Sequence, residues 1–307
     1  MDHPKPVERV LASFRQKRPM RVKSLIISLF GDVASQHGHS LWLGSVVHTL
    51  GALGINERLV RTSVFRLSQE NWLQAERVGR RSYYRFTAHG SAEYQRAARR
   101  IYAQEDTLWE GHWQLLVPVD IAEADRENFR RSLTWQGFRA ISSGTFARPG
   151  RPGRTLQETL EEFHATEGVL LFDATSSQLA PQQSLRDTVR ERWQLDKTAA
   201  AYRDFLEVYQ PVHQWLTKRT RLAPETAFIL RTLLIHDYRR VLLHDTPLPE
   251  ELLPSGWPGA SALAITANMY RRLASDSIAH ITSCLEGGNG LLPPPNTSFY
   301  ERFPKLP

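Results

Sequence analysis

The 307-residue chain is 41% hydrophobic and 10% aromatic, which excludes a disordered polymer and supplies enough apolar side chain for two or three cores. Its net charge of +7 is unevenly placed: residues 1–103 hold 17 Lys and Arg against 7 Asp and Glu, a net +10, while the remainder holds 22 against 25, a net −3. Such a one-sided basic field suits a polyanion (DNA, RNA or an acidic membrane surface), and the single cysteine, Cys284, excludes an internal disulfide and argues against a structural zinc site.

Residues 1–20 are basic and interrupted by Pro4, Pro6 and Pro19, and read as a loose or partly helical arm. They lack the apolar core of a signal peptide, and no run approaches the roughly 20 apolar residues of a membrane span, so a cytoplasmic, soluble protein is expected. Leu25, Ile26, Leu29, Phe30 and Val33 then recur at helical spacing with one buried stripe. A short strand at "LWL" and a helix at "GSVVHTLGAL" follow. Asn56 is placed to cap a third helix, Glu57 to Glu70, and "NWLQAERV" and "SYYRFT" alternate as two strands around "GRR". After another helix, the order helix, short strand, helix, helix, hairpin, helix is that of a winged helix-turn-helix, over residues 21–104.

Residues 108–178 read as βαββαβ, the ferredoxin-like arrangement. Their "RPGRPGR" loop, Arg148 to Arg154, is basic, but a mobile surface loop is preferred there to a phosphate contact. Residues 182–307 are mainly helical, with four helix candidates, Pro211 expected to kink or split the second. An irregular tail is expected to pack through Phe299, Tyr300 and Phe303. The fold class is therefore α+β and multidomain.

The third helix and the hairpin gather seven arginines, Arg58, Arg61, Arg66, Arg77, Arg80, Arg81 and Arg85, against Glu57, Glu70 and Glu76. Val60, Val64 and Leu67 mark the packing face of the helix, with Leu59 and Ser63 beside them. The opposite arc carries Arg58, Arg61, Thr62, Arg66 and Gln69, with Thr62 and Ser63 short enough for close approach to a groove. Phe65 has two readings, a thymine methyl contact and a place in the core, and the second is preferred. Gly79 permits a tight turn from which Arg80 and Arg81 project. Tyr83 and Tyr84 alternate faces, so that one, Tyr84 in the preferred assignment, is left to reach a phosphate. Double-stranded DNA is favoured over a protein partner, and over RNA because no aromatic-rich RNA-binding sheet motif is present.

"GALGINERLVRTSVFRLSQENWL", "VGRRSYYRFTAHG", "LTWQGF" and "LLIHDYRRVLLHDTPLPEELLPSGWPG" resemble the PaaX family of phenylacetate-degradation repressors, from about Val22 to Phe303. That resemblance implies a transcriptional repressor that binds palindromic operators as a homodimer and is released by phenylacetyl-CoA or a related aryl-CoA. It also implies a winged N-terminal domain, a Cas2-like middle domain with a dimerising role and a helical C-terminal domain linked to the effector; no cofactor is expected, since no cofactor motif stands out in the sequence.

For a CoA thioester the C-terminal segment offers His236, Tyr238, Arg239, Arg240 and His244, then Trp257, Tyr270, Arg271 and Arg272. A structural reading competes, with the arginines pairing to Asp237 and Asp245 and His236 in the core, and is preferred. His236, Asp237, His244 and Asp245 lack the spacing of a metal site. An enzyme acting on an aryl-CoA thioester with an appended DNA-binding module is the alternative. It is disfavoured because no catalytic triad order, P-loop or dinucleotide motif stands out. A metal-dependent nuclease centred on Asp120 is weaker still, since an acid at a strand end is more often a cap.

Overall fold

Val7, Val10, Leu11 and Phe14 recur every three or four residues and form the buried face of α1, Lys5–Gln16, so the expected arm is a packed helix. The computed structural model describes residues 3–17, 19–102, 109–150, 154–177, 182–218 and 221–303. These fall into two compact units that interleave distant segments. The first takes Met1–Gln104, Ala201–Leu243 and Pro258–Pro307, and the second Glu105–Ala200 and His244–Trp257. The helical C-terminal third is thus shared between the units.

In the first unit, α2 spans Val22–Asp32, and all but Lys23 and Ser24 of its residues are buried. The sequence pattern suggests a single apolar stripe, but α2 packs on several neighbours. The close approach of one of them leaves no room for a side chain at Gly31, where an added Cβ would meet the Tyr94 ring at 1.9 Å. Strand β1, Ser40–Trp42, leads into α3, Leu43–Ala52, and then α4, Glu57–Gln69. Strands β2, Leu73–Val78, and β3, Arg81–Phe86, form an antiparallel hairpin, and β1 pairs with β3 to give the order β1-β3-β2. Helix α5, Ala88–Tyr102, follows.

The same unit contains most of a helix, Leu195–Thr217, in which Pro211 lies without dividing it. It also contains a helix at Pro224–Leu242, every residue of which from Thr226 to Arg239 is buried, and a helix at Pro258–Cys284. A two-strand ribbon, Glu286–Gly287 with Gly290–Leu291, follows, and the tail ends in a short turn at Thr297–Phe299. Of the three tail aromatics, Phe299 and Phe303 are buried and Tyr300 is exposed. Cys284 is exposed.

One carboxylate ties these distant segments together. Asp32, at the end of α2, accepts from Arg231 Nε at 3.0 Å, Arg302 at 2.6 Å, Tyr102 at 2.8 Å and Tyr270 at 2.9 Å. Burial alone would raise the Asp32 carboxyl, but Arg231 and Arg302 with the two phenols outweigh it and hold it below the usual carboxylate range. Arg302 also lies over the Tyr102 ring at 4.1 Å.

The second unit contains β4, His112–Pro118; α6, Arg126–Trp135; β5, Arg139–Ser142; β6, Thr145–Pro149; α7, Arg154–Glu162; and β7, Val169–Thr175. All pairings are antiparallel and the order is β5-β6-β4-β7, the ferredoxin-like topology. Leu116, Phe129, Leu133, Phe138 and Phe146 make its core. A second cluster joins Trp113 and Ala147 to Val189, Trp193 and Leu252, contributed by α8, Gln182–Arg192, and the segments beyond it. Residues 151–153 of the "RPGRPGR" loop lie outside the described residues. Asp120 is exposed, and its backbone N–H donates to Gly168 O at 3.0 Å. No cluster of metal-ligating side chains occurs among the described residues.

Candidate nucleic-acid interface

The start of α4 is fixed by Asn56, whose side chain accepts from Leu59 N at 2.8 Å. Val60, Ser63, Val64 and Leu67 fall at i, i+3, i+4 and i+7 and are buried. The remaining arc is exposed and carries Arg58, Arg61, Thr62, Phe65, Arg66 and Gln69. Two expectations change here. Ser63 is buried beside the packing stripe, as its spacing predicts, so its hydroxyl is not offered to a groove. Phe65, preferred as core, is 61% exposed, because it stands one residue past the buried stripe and no element among the described residues covers that side.

The hairpin turns through Gly79 at φ +60° and Arg80, a two-residue loop with positive φ only at its first position, the II′ geometry that matches strand twist. Arg77, Arg80, Arg81 and Arg85 are exposed, as are the three arginines of α4. Tyr83 is buried and Tyr84 half-buried, the alternation expected of adjacent strand residues.

Some of these cations are partnered within the chain. Arg61 holds Glu57 at 2.7 Å, both side chains being more than half exposed. Arg81 donates to Glu286 of the C-terminal ribbon and lies over the Trp42 ring at 4.4 Å. The ribbon is held in turn by Glu286 N donating to Ser45 Oγ at 3.0 Å and Gly288 N to Ser40 Oγ at 2.9 Å. Exposed pairs of this kind are worth little in water and exchange readily for a phosphate. Arg58 and Arg66 form no ion pair among the described residues. Glu286 is 205 residues from Arg81, a distance no local sequence pattern bridges.

The candidate effector residues are dispersed. His236 is buried, meets Ser28 Oγ at 3.4 Å and faces the Phe14 ring edge-on, and burial pushes its pKa down to about 4. Tyr238 is buried beside Phe205. Arg239 is buried, and among the described residues it donates only to oxygens of Ser24 and Ser28. Arg240 pairs with Asp237 at 3.6 Å and Arg271 donates to the Phe303 carbonyl. These five belong to the first unit, whereas His244, exposed, and Trp257, half-buried on the Trp113 and Trp193 cluster, belong to the second. Neither unit alone gathers them into a site.

Residues 21–90 match the model of the PaaX-like protein, residues 106–186 that of the PaaX protein central Cas2-like domain, and residues 193–283 that of the PaaX-like protein C-terminal domain. The Transcriptional repressor PaaX of Escherichia coli (strain K12) is 37% identical over 286 residues, covering 93% of this chain and 90% of the relative. The chain belongs to the PaaX family. Among solved structures, the Uncharacterized protein Rv0674 from Mycobacterium tuberculosis matches 76% of this chain and 88% of its own, at 22% identity and a TM-score of 0.48. The family's central model and the four-stranded antiparallel sheet coincide in sequence, and its first model spans α2 to the start of α5.

Proposed function

We propose that the chain is a transcriptional repressor of aromatic catabolism, a regulator and not an enzyme. Residues 21–104 act as a winged helix-turn-helix, with α4 entering the major groove and the β2–β3 hairpin lying against the flanking backbone as the wing. The observation that carries this reading is the seven exposed arginines on α4 and the hairpin. Membership in the PaaX family supports it, as does the repressor function of the 37% identical relative. Arg58, Arg61, Thr62, Arg66 and Gln69 face bases and phosphates, while Gly79, Arg80, Arg81 and Tyr84 serve the wing.

The operator is palindromic and is bound by a homodimer, with the Cas2-like domain joining the copies. This follows from the need for two recognition helices at fixed separation. Phenylacetyl-CoA, or a related aryl-CoA, releases the complex by shifting the spacing of the two wings. The protein works in the cytoplasm, and no helix among the described residues is long and apolar enough to cross a membrane.

The test is operator affinity measured by fluorescence anisotropy. Arg61→Ala is expected to weaken binding about tenfold to a hundredfold, and Arg81→Ala to reduce the slope of log affinity against log salt by about one. A dimer neutralising about 6–10 phosphates loses about 10³–10⁵ in affinity between about 50 and 200 mM salt. Wild-type behaviour in both folded variants would place the DNA surface elsewhere.

A further inference from the structure

One face of α5 is only partly covered: Tyr94 and Tyr102 are buried, Ser91 and Ala98 half-buried, and Gln95 and Arg99 exposed. Ser91, Tyr94, Gln95, Ala98, Arg99 and Tyr102 follow at i, i+3, i+4, i+7, i+8 and i+11, and together they line a cavity of about 490 Å³ in the first unit. That volume lies within the ~300–1,000 Å³ range of small-molecule sites. Phe86, the last residue of β3, forms part of its wall and stacks on Tyr94 with ring centroids 5.6 Å apart. The opposite wall is the C-terminal segment, through Asn296, Ser298, Glu301 and Arg302. That segment is pinned by Asn296 N donating to Gln36 O at 2.9 Å, by Ser298 Oγ donating to Gln36 Oε1 at 3.0 Å, and by Arg302 on Asp32.

The charge beneath this cavity is unbalanced. Asp32 is one buried carboxylate facing two buried guanidiniums, Arg231 and Arg302. Arg239, also buried, meets no carboxylate among the described residues, and its field reaches Tyr94 and Tyr102. Arg99, on the exposed side of the lining, forms no ion pair among the described residues. Glu301 is the one acid in the lining, and it is exposed. An anionic or strongly polarised oxygen in the cavity therefore meets a net positive field in a partly desolvated place, where charge interactions are strongest.

We propose that this cavity is a binding site for an aromatic acyl or carboxylate group, its ring against Phe86, Ala98 and the rims of Tyr94 and Tyr102, and its oxygens toward Arg99 with the Arg302 charge behind it. The proposal deepens the effector reading above and rests on it for the identity of the probes. It moves ligand contact from the helix at Pro224–Leu242 to α5 and the tail. It also supplies a route to the DNA surface, because Phe86 ends the strand that Arg81 begins. An occupant wedged between α5 and the tail bears on the base of the wing.

Calorimetry on the full chain tests this, with phenylacetate, phenylacetyl-CoA and free CoA as probes, for wild type, Ala98→Trp and Arg99→Gln, each with its folding transition checked. Operator release is followed in parallel by anisotropy. Binding of phenylacetate or phenylacetyl-CoA that weakens at least tenfold in both variants is expected. The free acid binding as well as the thioester would identify the acid as sufficient, and the thioester binding alone would show that the CoA portion is required. If phenylacetyl-CoA binds and releases operator equally in wild type and both variants, the cavity assignment is overturned while the effector reading stands. Variant-sensitive binding with no operator release would leave the cavity standing and overturn the effector reading. If neither phenylacetyl probe binds wild type, the cavity proposal fails.

Discussion

Asp32 and His236 show how single buried groups govern this protein. Asp32 is 2% exposed and takes four donors from four separate parts of the chain. Asp32→Asn leaves Arg231 and Arg302 as uncompensated buried charges, and it is expected to cost about 3–5 kcal/mol in urea unfolding. The pH response has a definite sign. The folded His236 ring is held to about 4 against an ordinary 6.5, so the unfolded chain takes up a proton first as pH falls. Its stabilising contribution is therefore present above pH 6.5 and is lost progressively toward pH 4, by about 3 kcal/mol at the end of that window. His236→Gln is expected to remove this component, seen as a flatter stability profile between pH 7 and 4.5. The Asp32 carboxyl, held below its ordinary range, adds its own loss only at pH values below about 4.

At the scale of elements, α4 and the wing act through what touches them. The C-terminal ribbon places Glu286 on Arg81, so that the carboxylate competes with any phosphate for that guanidinium. Glu286→Gln is expected to tighten operator binding severalfold with the salt slope little changed, since Arg81 then reaches its phosphate without first leaving a carboxylate. A fall in affinity would show instead that the carboxylate holds the arginine in a useful pose. Most of α4 is legible in its sequence because its signals are local: the Asn56 cap, the stripe at Val60, Val64 and Leu67, and the glycine at the hairpin turn. The groove role of Ser63 and the core role of Phe65 follow residue character, and position on the helix opposes both. A count of 100° per residue places Ser63 with Val60 and Val64, and leaves Phe65 outside. The Asp32 cluster and the α5 cavity were not legible at all, since their members are brought together from positions up to 270 residues apart.

For the whole molecule, the sequence reads as three domains in a row, and the described chain packs as two compact units that each draw on segments distant in sequence. Composition cannot reveal this, because an apolar stripe does not name its partner. Helix α2 looks like a surface helix with one core face, but Ser28 meets His236 and Arg239 of the helix at Pro224–Leu242, so more than one face is buried. The basic charge of the first hundred residues survives this interleaving, as every arginine of α4 and the hairpin stays exposed. The isolated segment 1–104 is therefore expected to retain the cations but not the fold, with broad, poorly dispersed amide resonances, whereas the full chain melts cooperatively. A well-dispersed spectrum for the segment would show that it stands alone.

The pairing of Arg302 with Asp32 has a consequence for proteolysis. A cut anywhere in the 270 positions between them parts a guanidinium from a buried carboxylate. Clipping the tail before Arg302 is therefore expected to loosen the packing around α2, although it touches none of the exposed arginines of α4 and the hairpin.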